Sequence, residues 1–224
     1  MRTVAIVSGG MDSVTLAYLL KQQGDQLHLL SFDYGQRHRK ELLYAEHCAA
    51  RLGCGFDVIT LHALANLITA SALTGGADVP DGHYTEDSMR ITVVPNRNAV
   101  MLALAFAVAV NEKADRVALA VHTGDHFIYP DCRPAFLDAF QAMQNLATEG
   151  FGQPRLYAPF REMTKAEIVE TGALINVPYQ ETWSCYKGGG LHCGVCGTCT
   201  ERREAFELAE VPDPTEYADL TRHW

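Results

Sequence analysis

Basic residues are in short supply in this sequence: 18 Lys and Arg stand against 27 Asp and Glu, a formal net charge of −9 over 224 residues. Phosphate backbones are held mainly by clustered Lys and Arg, so this balance argues against a broad nucleic-acid footprint and leaves room for a local basic pocket. Long apolar runs are lacking as well. The N-terminal run over residues 3–7 follows a single Arg and is too short for a signal peptide's apolar region or a membrane span. A cytoplasmic protein without a membrane partner is the expectation. Internal repeats, low-complexity tracts and long linkers are absent too. With 48% hydrophobic and 20% charged residues, neither a disordered nor a fibrous chain is indicated. The length suits one sizeable α/β domain with a small appendage.

Cysteine is not scarce, but its arrangement excludes a secreted disulfide framework. Seven is an odd count, and Cys48, Cys54 and Cys132 are scattered. The other four form the series Cys185-x7-Cys193-x2-Cys196-x2-Cys199, with Gly188 to Gly190, Gly194 and Gly197 letting the backbone fold around one ion. Zinc is the leading candidate, in a structural role, because four thiolates complete its tetrahedral shell and leave no position for water. The same ligands suit an iron–sulfur cluster, and a redox disulfide is a further alternative. His192, beside the series, needs no metal to explain it.

Strand and helix patterns alternate along the chain. A strand over residues 3–7 is followed by a turn and a helix over residues 12–22, which Gly24 ends. A second strand covers residues 27–32, a helix residues 36–52 and a third strand residues 56–61. Residues 66–90 lack steady periodicity and read as a loop with at most one short helix. A buried helix follows over residues 97–111, then a strand over 116–121, a polar pocket-wall segment over 122–133 and a helix over 134–147 with Pro134 in its first turn. Thr164 and Glu167 fit a capping box that opens a short helix, and a last helix is predicted over residues 200–210. Parallel neighbours need crossovers, so the pattern predicts a Rossmann-like, doubly wound parallel sheet. The α/β domain is expected over residues 1–180 and a zinc-binding region over residues 181–224.

The hexapeptide Ser8-Gly9-Gly10-Met11-Asp12-Ser13 joins the first strand to the first helix. Unpaired N–H groups at the positive end of a helix make an anion site there, which the two glycines let a phosphate approach and to which Ser8 and Ser13 add hydroxyls. The contact is expected to run on through Met11, Val14 and Thr15. Asp12 would be repelled by bound phosphates unless a metal ion lies between them, so it serves Mg²⁺ or caps the helix. The loop lacks the Gly-Lys-Ser/Thr ending of a Walker loop and the spacing of a dinucleotide fingerprint. It resembles instead the Ser-Gly-Gly-x-Asp-Ser loop of the ATP pyrophosphatase superfamily, the adenine nucleotide alpha hydrolase-like fold.

Further motifs are Phe32-Asp33-Tyr34-Gly35-Gln36-Arg37-His38, Val94-Pro95-Asn96-Arg97-Asn98, Tyr129-Pro130-Asp131-Cys132-Arg133, Lys165 and Thr182-Trp183-Ser184-Cys185-Tyr186. With the loop and the cysteine series they resemble the 7-cyano-7-deazaguanine synthase family of the queuosine pathway, over essentially the whole chain. The resemblance implies a ligase that turns 7-carboxy-7-deazaguanine, ammonium and Mg²⁺-ATP into a nitrile through an adenylated carboxylate and an amide, with one zinc per chain and a homodimeric assembly. It implies nucleotide binding by Ser8, Gly9, Gly10, Met11, Asp12, Ser13, Val14, Thr15 and Asp33, with Asp12, Ser13 and Lys165 in the chemistry. Arg97, Asn98, Asp131 and Arg133 become candidates for the substrate. Cys132 reads as a pocket-lining thiol rather than a nucleophile, since the chemistry requires no covalent enzyme intermediate. Phe127 and Tyr129 are candidates to stack on a flat heterocycle, and His38, His122 and His126 receive no role. A tRNA thiolase or lysidine-type ligase, and a non-catalytic nucleotide sensor, are the competing readings of the same loop.

Overall fold

The computed structural model describes residues 1–36, 39–65, 93–126 and 129–221; expectations placed on Arg37, His38, Phe127 and residues 66–90 fall outside them. Its centre is a five-stranded parallel sheet: β1 (Arg2–Ile6), β2 (Gln26–Asp33), β3 (Gly55–Thr60), β4 (Arg116–Ala118) and β5 (Arg155–Tyr157), in the order β3-β2-β1-β4-β5. The helices are α1 (Met11–Gln22), α2 (Lys40–Leu52), α3 (His62–Ala65), α4 (Arg97–Asn111), α5 (Thr123–His126), α6 (Pro134–Ala147), α7 (Lys165–Leu174) and α8 (Gly197–Leu208). In register, Thr3 lies between Leu27 of β2 and Arg116 of β4.

The strand period of two divides the apolar residues of the sheet between two cores. Ala5, Val7 and Leu29 face the side covered by α1, α2 and α7, where Leu16, Leu20, Ala49 and Ile168 are buried. Val4, Ile6 and Leu30 face the other side, against Leu102, Phe106, Leu137 and Phe140 of α4 and α6. Each such Val, Leu, Ile or Phe side chain contributes roughly 1.5–3 kcal/mol by leaving water, so a doubly wound sheet is the arrangement that buries this pattern. Because the chain leaves β1 for β2 on one side and β4 lies on the other, the connections after β1 and β4 diverge at the carboxyl ends of the strands. Ligand crevices in open α/β sheets form at such a switch point.

Several boundaries differ from expectation, each for a local reason. Helix α2 starts at Lys40 rather than Gln36 because the Gln36 side chain closes the preceding turn, donating to the Phe32 carbonyl at 3.0 Å and accepting from Tyr34 N–H at 2.9 Å. Strand β4 stops at Ala118 because its neighbour β5 ends at Tyr157, the partner of Ala118. Helix α8 begins at Gly197, inside the cysteine series, with Cys196 as its N-cap. The capping box is present: Thr164 accepts from Glu167 N–H and Glu167 accepts from Thr164 N–H at 2.6 Å.

The C-terminal region is fastened through Arg202, fully buried on α8, which donates to Thr182 Oγ1 at 2.7 Å and to the Tyr179 carbonyl at 2.9 Å. Helix α7 packs against both α1 and α8. Among the described residues no helix is long and apolar enough to cross a membrane.

Candidate active site and metal centre

A cavity of about 270 Å³ opens at the switch point, with Ser8, Gly10, Met11, Asp12 and Ser13 along one wall. The loop is shaped by its own serines. Ser13 Oγ accepts from Ser8 N–H at 3.2 Å and donates to the Gly10 carbonyl at 3.1 Å, while Ser8 Oγ accepts from Gly10 N–H at 3.3 Å. Gly9 adopts φ +90°, and a Cβ there would lie 2.1 Å from the Glu41 carbonyl oxygen, so α2 can approach the loop only because residue 9 has no side chain. Trp183 N–H donates to the Gly9 carbonyl at 2.9 Å, bracing the loop from the far side.

The end of the cavity beside this loop gathers charge. Lys165, the first residue of α7, lies 2.6 Å from Glu201 Oε2 and 3.5 Å from Asp12 Oδ2. His122 Nε2 is 3.9 Å from Asp12 and 3.6 Å from Asp125. Burial works to lower the Lys165 pKa, but Asp12, Glu201 and Asp125 overcome it and hold the ammonium well above the ordinary lysine range. Burial, with Glu201 and Asp12, raises the Asp125 carboxyl against the pull of His122 and Lys165. Asp12 Oδ1 is buried without a hydrogen-bond partner, an acceptor left over inside a polar site.

The cavity lining also carries aromatic rings and the pair Glu41 and Arg97. Arg97 donates to Tyr34 Oη at 3.2 Å, and Tyr129 and Tyr186 border the same space. Glu41 accepts from Gln36 Nε2 at 3.2 Å. Burial pushes its carboxyl from about 4.5 up to about 7, against Arg97 and the Gln36 hydrogen bond. The folded chain therefore keeps a proton that the unfolded chain releases, so stability falls as pH rises from about 4.5 to about 7 and the cost is complete above that. Arg97 is the cation facing Glu41, and the Tyr34 and Tyr186 hydroxyls are the other titratable neighbours. Glu41→Gln is expected to raise unfolding stability by about 1–3 kcal/mol near pH 8 and by nearly nothing near pH 4.5. Urea midpoints shifted equally at both pH values would contradict this.

Of the remaining sequence-predicted residues, Arg97 and Asn98 line the cavity, whereas Val14 lies in the core beneath the loop. Thr15 is buried, donating to the Met11 carbonyl at 2.7 Å with its hydroxyl 3.1 Å from Tyr179 Oη. Asp33 is engaged behind the wall by Arg39, by His62 at 2.9 Å and by Gly35 N–H at 3.2 Å. Asp131 and Arg133 are not among the lining residues. Asp131 accepts from Asn98 N–H at 2.9 Å at the start of α4, and Arg133 donates to the His126 carbonyl at 2.8 Å. Cys132 lines the cavity, and burial holds its thiol far above the ordinary range, which agrees with an inert packed sulfur. Sequence reasoning missed Glu41 and Glu201; Asp125 lies in the expected pocket-wall segment, which gave it no role of its own.

The four cysteines Cys185, Cys193, Cys196 and Cys199 place their Sγ atoms within 4.8 Å of one another, a set able to hold a metal ion. Backbone N–H groups of Cys193, Val195 and Cys196 point at these sulfurs at 3.3–3.4 Å, which suits thiolates. The centre adjoins the cavity: Cys185 and Thr198 line it, and Glu201 follows two residues after Cys199.

A doubly wound sheet with this strand-loop-helix and a lysine facing it has the form of the PP-loop, or ATP pyrophosphatase, class of proteins. The same fold occurs in the NMN synthetase of Francisella tularensis, at TM-score 0.51 and 14% identity over 94% of this chain and 77% of that one. It occurs also in the ammonia-dependent NAD synthetase of Campylobacter jejuni, at TM-score 0.50 and 15% identity over 93% and 75%. The profile described as queuosine biosynthesis protein QueC matches residues 2–210. Proteins named 7-cyano-7-deazaguanine synthase from Rhizobium meliloti and Paracoccus denitrificans are each 61% identical over 219 residues, covering 98% of this chain and 93% and 94% of theirs. The chain belongs to the QueC family of queuosine biosynthesis proteins.

Proposed function

We propose that the protein is an ATP-dependent carbon–nitrogen ligase that converts 7-carboxy-7-deazaguanine and ammonium to 7-cyano-7-deazaguanine. The observation that carries the reading is the convergence of the Ser8–Ser13 loop, Asp12 and Lys165 on one cavity that is also lined by Glu41, Arg97 and the rings of Tyr34, Tyr129 and Tyr186. It is supported by full-length identity to relatives of that name.

The loop N–H groups and serine hydroxyls would take the β- and γ-phosphates at the positive end of α1. Asp12, with its unpartnered Oδ1, is the residue to hold Mg²⁺ there. A substrate carboxylate oxygen attacks the α-phosphorus and pyrophosphate leaves, its growing charge met by the Lys165 ammonium. Ammonia then displaces AMP to give the amide, since the acyl phosphate is a far better electrophile than a carboxylate. Attack of the amide oxygen on a second ATP releases pyrophosphate and, with loss of one N–H proton, gives an adenylated imidate; loss of AMP and the remaining N–H proton leaves the nitrile. Ser13 keeps the loop in the shape this requires. Asp33, Val14 and Thr15 support the nucleotide wall from behind.

Zinc is the ion assigned to the four cysteines, for a structural role, because four thiolates leave it no open position. Elemental analysis showing one zinc per chain, without visible charge-transfer absorption, would separate it from an iron–sulfur centre. Residues 181–224 act as the metal-bearing region packed on residues 1–180, and the enzyme works as a cytoplasmic homodimer on small molecules rather than nucleic acid.

The test is incubation with Mg²⁺-ATP, ammonium and the carboxylate, followed by mass spectrometry. Formation of the nitrile is expected, dependent on ammonium and reduced at least 100-fold in Asp12→Ala, on the order of the loss from a removed transition-state contact. Folded, metal-loaded protein that leaves the carboxylate unchanged would overturn the assignment.

A further inference from the structure

The proposed reaction leaves the cavity carboxyl of Glu41 without a task. Glu41 sits in the first turn of α2 and lines the same cavity as Lys165 and Asp12. A half-buried carboxylate is costly unless hydrogen bonds satisfy it, and among the described residues its donor is Gln36 Nε2, at 3.2 Å on Oε1. Its placement is not incidental, because the Glu41 carbonyl fills the space that Gly9 vacates. The residue is thereby fixed relative to the phosphate loop.

The same cavity offers both apolar and aromatic surface. Phe32, Met101 and Leu119 supply apolar surface, and Tyr34, Tyr129 and Tyr186 supply flat rings. Arg97, held by Tyr34, is the cation that acts on Glu41. A heterocycle entering here meets an acceptor with two oxygens and a donor fork. The edge that matches is one with two adjacent N–H donors flanked by a carbonyl, as a guanine-type ring presents: its ring N–H and exocyclic amino group face a carboxylate, and its carbonyl faces a guanidinium.

We infer that Glu41 is the specificity-determining residue that reads the amino-and-imino edge of the substrate ring, with Arg97 taking the ring carbonyl. The inference rests on the proposed reaction and deepens it by assigning its ring recognition. It moves that role from Asp131, whose carboxylate is engaged at the start of α4, and from Asn98, whose amide donates to Cys132 Sγ at 3.1 Å and to the Asp131 carbonyl at 3.3 Å. The raised Glu41 carboxyl agrees with it, since two ring N–H donors would favour the charged form that burial opposes.

The experiment compares wild type with Glu41→Gln in the full-length, metal-loaded protein. The probes are 7-carboxy-7-deazaguanine and its analogue lacking the 2-amino group. Dissociation constants come from calorimetry, and turnover with Mg²⁺-ATP and ammonium from mass spectrometry. Wild type is expected to bind the parent on the order of 100-fold more tightly than the analogue, because a site built to pair an amino group rejects a ring without it. In Glu41→Gln, parent affinity should fall roughly 10- to 100-fold and the preference should shrink to about threefold. A merely structural role would lower affinity for both ligands alike and leave their ratio. Wild type that makes the nitrile, with a Glu41→Gln variant that discriminates as wild type does, overturns the role of Glu41 alone. Wild type that neither makes the nitrile nor binds the ring overturns both readings.

Discussion

Replacing Lys165 by Met is expected to lower kcat by about 100- to 1,000-fold, the scale of losing one preorganised charge at a departing oxyanion. The distances identify the reason. The ammonium is 2.6 Å from Glu201 and 3.5 Å from Asp12, on the side of the cavity that carries the phosphate loop. With three carboxylates nearby it stays protonated across the working pH range. Its loss also leaves Asp12, Asp125 and Glu201 facing one another without a cation, so the single variant should lose about 3–5 kcal/mol of stability, as when one partner of a buried pair is removed. The two effects can be told apart. Adding Glu201→Gln to Lys165→Met removes one uncompensated charge and should return part of the melting temperature without returning kcat. A Lys165→Met variant within threefold of wild-type kcat, measured below its melting temperature, would mean that the lysine only balances charge.

Much of this arrangement was legible in the sequence because the signal was local. The Ser8–Ser13 loop is contiguous, and its strand and helix follow from short apolar patterns on either side. The cysteine series carries its own spacing, and α4 and α6 were bounded correctly by their apolar periodicity and by Pro134. Strand β5 was missed because three residues, Arg-Leu-Tyr, cannot show a period. Glu41 and Glu201 were missed for a different reason, whereas Asp125 lay within the expected pocket-wall segment but received no role of its own. Acids on helices read as a solvated face, and what converts these into cavity groups is packing between distant elements: α2 on the loop through Gly9, and α8 beside α7. Asp131 erred in the opposite direction. Its loop borders the cavity, but a free N–H at the start of α4 lies closer to hand, and a carboxylate at a helix N-terminus gains from both the hydrogen bond and the helix dipole.

Removing the metal is expected to disable the site as well as loosen the C-terminal region. The apolar cluster around the four cysteines is small, with Trp183, Cys185, Cys196 and Cys199 buried and Tyr44 and Tyr217 packed beside them. So little surface stabilises this segment weakly by burial alone, and metal ligation would supply much of its folding energy. Two contacts tie that energy to the nucleotide site. Trp183 N–H holds the Gly9 carbonyl of the loop, and Glu201, on the helix that Cys196 caps, holds Lys165. Cys196→Ser, or chelation under mildly unfolding conditions, should therefore lower the melting temperature by about 10 °C or more, the shift that several kcal/mol produces in a chain of this size. It should also red-shift the Trp183 emission as that ring meets water, and weaken Mg²⁺-ATP binding at least tenfold even where the α/β core stays folded. Binding measured by calorimetry separates the outcomes. Metal-free protein that melts earlier yet binds Mg²⁺-ATP as tightly as the loaded form would show that the cysteine centre stabilises its own segment and that the loop and Lys165 are positioned without it.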